Sequence, residues 1–144
     1  MAEDPQQTIL VALRPGVRQK FTDAIGDFQT SVLFCHSFEH AQHMMEVQPF
    51  HAIVATLQFD DSRMFDLLRM VRAHSVHRCK PFVAVRLTSG ALPDEVVKTV
   101  MRSAIICGAD AAVDYSSIEA CHGVNAANQA LRSTVAQCSS AAWR

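Results

Sequence analysis

Residues 51–72 read HAIVATLQFDDSRMFDLLRMVR. An almost unbroken apolar run, AIVATL (52–57), ends in a short acidic loop. The chain then passes straight into a segment that places Met64, Leu67, Leu68 and Val71 on one helical stripe. An apolar run of this kind is the pattern of a central parallel strand, covered on both faces. Loops between such a strand and its helix hold phosphates or metal ions in many folds, so Asp60 and Asp61 are the first residues to weigh for chemistry.

Outward from this stretch the same alternation repeats. TILVAL (8–13), SVLFCH (31–36), PFVAVRL (81–87) and AAVDY (111–115) are the other strand-like runs. Val17, Phe21, Ile25 and Phe28 mark a first helix, and Phe38, Ala41, Met44 or Met45, and Val47 a short second one. A fourth helix opens at LPDE, with Pro93 in its first turn, and stops near Gly108. A fifth is expected from Ser116 to about residue 136, with SSIE (116–119) spaced as a capping box. Strict βαβα order with short connections implies a doubly wound parallel sheet of five strands with five helices on its two faces. Ligands of such sheets sit beyond the carboxyl ends of the strands. Those ends are Ala12–Arg14, Thr56–Asp61, Arg86–Ser89 and Asp114–Ser116.

Composition narrows the function classes. The chain has 144 residues, 49% of them hydrophobic, and a net charge of -1. That is one ordinary globular domain, taken as 1–136, with 137–144 as a tail or the start of a linker. Near-neutral charge gives no basic face for direct nucleic-acid contact. No apolar run reaches the roughly 18 residues of a membrane span, and MAEDPQQT lacks the pattern of a secretory signal. The five cysteines, at 35, 79, 107, 121 and 138, show no paired spacing and are expected as reduced, mostly buried thiols of a cytoplasmic protein.

With these motifs in order, the sequence resembles the receiver domains of two-component response regulators over residues 8–130. ALRPGVR (12–18) matches the Asp-Asp-Asp-Pro-x-x-Arg that follows a receiver's first strand, keeping Pro15 and Arg18. ATLQFDDSRMFDLLRMVR (55–72) aligns without a gap with the third strand and its loop and helix, PFVAVRL with the fourth strand, and GADAAVDYSS (108–117) with the Gly-Ala-Asp run that leads into the fifth. Receivers phosphorylate themselves on an aspartate, with an acidic pair that holds Mg²⁺, a hydroxyl and a lysine. By this resemblance the phosphoacceptor position falls on Thr56, the acidic pair on Ala12 and Leu13, the hydroxyl on Arg86 and the lysine on Tyr115. The proline that follows the lysine becomes Ser116, and the aromatic position that reports activation becomes Ala112.

The resemblance therefore implies a receiver fold, with the five strands in the order 2-1-3-4-5, but without receiver chemistry. No catalytic residue, metal site or cofactor is assigned. Asp60 and Asp61 lie beyond the chemical position, face Arg14 across the cleft, and read as loop residues, with Asp61 or Ser62 capping the third helix. The histidine groups, His36, His40 and His43, and His74 and His77 with Cys79, lack the spacing of a zinc site and read as solvated helix-end side chains. Arg14 and Arg86 leave two readings open. Together they form an anion- or nucleotide-phosphate-binding pair, or Arg86 pairs internally with Asp60, Asp61 or Asp114. Tyr115 either fills the former pocket or joins Lys98, Arg102, Asp114 and Glu119 on the fourth helix–fifth strand–fifth helix face. That is the surface through which the resemblance implies contact with a kinase, a regulator, an effector domain or a second copy.

Overall fold

The computed structural model describes residues 7–26, 30–90 and 92–141. Five parallel strands, β1 (Gln7–Ala12), β2 (Thr30–Cys35), β3 (Ala52–Thr56), β4 (Phe82–Arg86) and β5 (Ala111–Asp114), lie side by side in the order β2-β1-β3-β4-β5. The register sets Val11 against Val54, Val54 against Val83, and Arg86 against Asp114. The five-stranded order matches the one that the resemblance to receivers implies.

The pleat divides each central strand between two cores. Leu10, Ala12, Ile53, Ala55, Phe82 and Ala84 feed one apolar cluster, roofed by α2 (Phe38–Val47), α3 (Met64–Ala73) and α4 (Asp94–Ile106). Ile9, Val11, Ala52, Val54, Val83 and Val85 feed the other, roofed by α1 (Arg18–Ile25) and α6 (Val124–Ala141). Since both faces are covered, β3 and β4 are buried at every position, which is why their sequences read as unbroken apolar runs. Phe28 lies outside the described residues, as do residues 142–144 of the expected tail.

The C-terminal region departs from expectation. The single fifth helix is two: α5 (Tyr115–His122) and α6, parted at Gly123, so the chain has six α-helices among the described residues. Gly123 adopts φ 93°, ψ 169°, a conformation open essentially to glycine, and its carbonyl accepts from Ala127 N–H at 3.2 Å. Apolar periodicity persists across the break, so the stripe alone does not reveal it. The capping box also fails. Asp114, not Ser116, caps α5 by accepting from the Ser117 N–H at 3.1 Å, while Glu119 pairs with Lys20 on α1 at 3.1 Å.

At the opposite, amino-terminal edge of the sheet, Arg72 ties three segments together. Its guanidinium donates to the carbonyls of Gly108, Arg78 and Lys80 and pairs with Asp110 at 2.8 Å. Asp110 in turn accepts the Phe82 N–H that opens β4.

Candidate functional site

At the carboxyl edge, β1 ends at Ala12 and Leu13 follows it, both fully buried in the core. Arg14 follows, exposed, before a single 3-10 turn at Pro15–Val17 leads into α1. Thr56 closes β3 with 4% exposure. Among the described residues its hydroxyl reaches only the Ala12 carbonyl, at a long 3.5 Å.

The loop after β3 is left-handed at three successive residues, Asp60, Asp61 and Ser62, with φ 42°, 54° and 67°. Aspartate tolerates this region better than most side chains, through local hydrogen bonds, but three in a row store backbone strain. The turn swings Asp60 away from the strand ends, and its carboxylate accepts the Phe38 N–H at 2.7 Å. It thereby caps α2 together with Ser37, which accepts from His40 N–H at 3.1 Å. Neither Asp61 nor Ser62 caps α3, whose N-cap is Arg63 with no side-chain bond.

Arg86 closes β4 with its side chain 8% exposed. Arg86 pairs with Asp114, one of the three acids offered by the sequence, and with Asp94, which the sequence did not suggest. Nη1 faces Asp114 Oδ2 at 3.4 Å and Oδ1 at 3.5 Å, Asp94 Oδ1 at 3.4 Å and Ser117 Oγ at 3.3 Å. Asp60 and Asp61 take no part in this network. Asp94 and Ser117 were not singled out from the sequence. Asp94 reads there as a first-turn acid for the helix dipole, and only the return of α4 over the sheet brings it to Arg86.

Tyr115 leaves the pocket altogether. It is 1% exposed in the α1–α6 core, its hydroxyl donates to Asn128 Oδ1 at 2.5 Å, and burial pushes its pKa up. It neither fills the strand-end cavity nor belongs to an exposed face. Of the expected partner surface, Lys98 and Arg102 are exposed, Glu119 is held by Lys20, and Asp114 turns inward to Arg86. What the sequence reading missed there is apolar: Val96 and Ile105 are exposed on α4, and Ile106 is 83% exposed at its end.

A cavity of about 350 Å³ opens at this edge between the loops after β3 and β4 and the flank of α4. Arg14, Thr56 and Arg86 line it together, whereas Ala12, Leu13 and Tyr115 do not. Leu57, Phe65, Leu87, Leu92, Val97 and Val100 form its apolar walls, with Gln58, Ser62 and Thr88 among them. These donors do not fit Mg²⁺: Ala12 and Leu13 offer no side-chain oxygen, Thr56 a neutral hydroxyl, and the two arginines repel a cation.

The remaining candidates sit elsewhere. His77 is buried rather than solvated, stacked on Phe50 with centroids 4.3 Å apart, and His74 pairs with Glu46 at 3.1 Å. Cys79, Cys107 and Cys121 are exposed, against the expectation of mostly buried thiols, and Cys35 is buried. Among the described residues no three His, Cys, Asp or Glu side chains converge on one point. No helix among them is long and apolar enough to cross a membrane.

No family model and no curated protein matches this sequence. The likeness lies in the fold. A sensor protein from Polaromonas sp. JS666 superposes with a TM-score of 0.69 at 15% identity, covering 96% of this chain and 99% of that one. A response regulator in red light signaling of R. palustris gives 0.67 at 13% identity, over 89% and 90%. The receiver domain of a sensor histidine kinase from Pseudomonas aeruginosa PAO1, solved with a magnesium ion coordinated in its active site cleft, gives 0.57 at 20% identity, over 75% and 84%. The chain has the receiver fold of response regulators.

Proposed function

We propose that this receiver-fold chain is a pseudo-receiver: a cytoplasmic signalling module that works without phosphorylation or other catalysis, by binding a protein partner. The observation that carries the reading is Thr56. An acyl phosphate requires a carboxylate at the end of β3, and Thr56 presents there a buried neutral hydroxyl against a carbonyl. The neighbouring side chains support it, since Ala12 and Leu13 supply no Mg²⁺ ligand and Arg86 is engaged with Asp114. Partner contact is assigned to the α4 face, where Lys98 and Arg102 lie beside the exposed Val96, Ile105 and Ile106. Solvent-facing apolar side chains rimmed by charge are the usual makings of such a surface. A regulator, a kinase, an effector domain or a second copy of the chain fits that description.

Incubation with acetyl phosphate and Mg²⁺, followed by intact-mass measurement, is expected to leave the mass unchanged. A stoichiometric phosphoryl adduct that is labile to base would overturn the reading.

A further inference from the structure

We propose that the cavity at the carboxyl edge binds a small apolar monocarboxylate. The hydrocarbon body lies against Leu57, Phe65, Leu87 and Val97, and the carboxylate meets Arg86 at the floor and Arg14 at the rim. This goes beyond the phosphorylation-independent reading and stands or falls separately from it.

Four observations converge on this ligand class. First, about 350 Å³ is within the range of small-molecule sites, and the place, beyond strand ends of a doubly wound sheet, is where such folds bind ligands. Second, most of the exposed lining is apolar, and beside Arg14 and Arg86 its polar side chains are the neutral Thr56, Gln58, Ser62 and Thr88, which suits a hydrocarbon or aromatic body with one anionic group better than a nucleotide phosphate chain. Third, Leu92 lies at this cavity 49% exposed, a large apolar side chain that an occupant would cover.

The fourth observation is the state of Arg86. Its side chain is 8% exposed, yet every bond it makes among the described residues goes through Nη1, at 3.3–3.5 Å. Charge-assisted N–H···O bonds normally close to about 2.7–2.9 Å, so this guanidinium is loosely held. Its Nε and Nη2 donors have no protein partner among the described residues, and that edge is the one suited to a bidentate carboxylate. Asp94, one of its two acids, is 78% exposed and remains solvated without the contact. Arg14 makes no ion pair among the described residues and adds a second positive charge at the rim, which offsets Asp114 when an anion enters.

Matched probes test the charge requirement on the full chain: 1-naphthylacetate against 1-naphthylacetamide, and decanoate against decanamide. Calorimetry and heteronuclear NMR titration are expected to show one site per chain for an acid, with shifts at Thr56, Leu87, Gly90 and Val97. The amide should bind at least about tenfold more weakly. Arg14→Gln, at an exposed position, should weaken the acid but not the amide. Val100→Trp, which fills the cavity, should abolish both. Circular dichroism would confirm that each variant folds. Equal binding of acid and amide, no shift at a lining residue with either acid, or acid affinity unchanged in Arg14→Gln would each overturn the proposal.

Discussion

His77 shows how a residue that looks solvated in the sequence becomes a stability determinant. It lies in the connection after α3, where its Nε2–H donates to the Met45 carbonyl at 2.8 Å. Its ring packs against Phe50 and His74, and its Nδ1 is buried without a partner among the described residues. Burial lowers its pKa first. Nearby Lys80 and His74 add to that, while the Met45 bond and Glu46 oppose it. The folded state therefore resists a proton that the unfolded chain accepts below about pH 6.5. Stability contributed by neutral His77 is complete above that pH and is lost as pH falls toward the depressed folded value. The slope from this one group is at most about 1.4 kcal/mol per pH unit. Urea denaturation across this window should show the acid loss in the native chain and a flatter limb in His77→Gln, whose amide keeps the donor to Met45 without titrating. An unchanged acid limb would remove His77 from the account. A polar residue in a sequence carries no mark of which apolar ring will close over it. That is why the histidine-rich HSVHRC (74–79) read as solvent-facing.

At the scale of elements, the strands and most helices were legible because their periodicity reports burial directly. AIVATL and PFVAVRL are apolar throughout because both of their faces are covered. Helix ends were less legible, since a cap depends on which neighbour arrives in space. Ser116 and Asp61 had the right chemistry, but Asp114 reaches the start of α5, and Asp60 crosses to α2. Gly123 is the clearest missed boundary. A Cβ added there meets nothing within 4 Å, so a substitution isolates the cost of its backbone conformation. Gly123→Ala should destabilise the chain by about 1–3 kcal/mol in chemical denaturation. A neutral result would mean that α5 and α6 join as the continuous helix expected from the apolar stripe.

At the scale of the whole molecule, the two cores sort the cysteines by environment. Cys35, the last residue of β2, is enclosed in the cluster under α2, α3 and α4, and burial pushes its thiol up to about 12, which leaves almost no reactive thiolate at neutral pH. Cys79, Cys107 and Cys121 are exposed. A thiol-reactive dye should modify these three rapidly in the native chain and reach Cys35 only at the rate of global unfolding. Rapid native labelling of Cys35, identified by peptide mapping, would contradict the layered core.

The doubly wound class and the residues at the strand ends were legible in the chain's own pattern, and the strand order in its likeness to receivers. Each of these follows from short-range pattern: apolar runs, helical stripes, and a gap-free match of loop lengths. Which neighbours the strand-end residues meet was not legible there and emerges with long-range packing. Arg86 found Asp94 and Asp114, Tyr115 turned into the α1–α6 core, and Asp60 went to cap α2. An apolar cavity then formed where the sequence pointed to charge. Those outcomes depend on contacts between residues far apart in the chain, and side-chain type sets which contacts are allowed but not which neighbour arrives first.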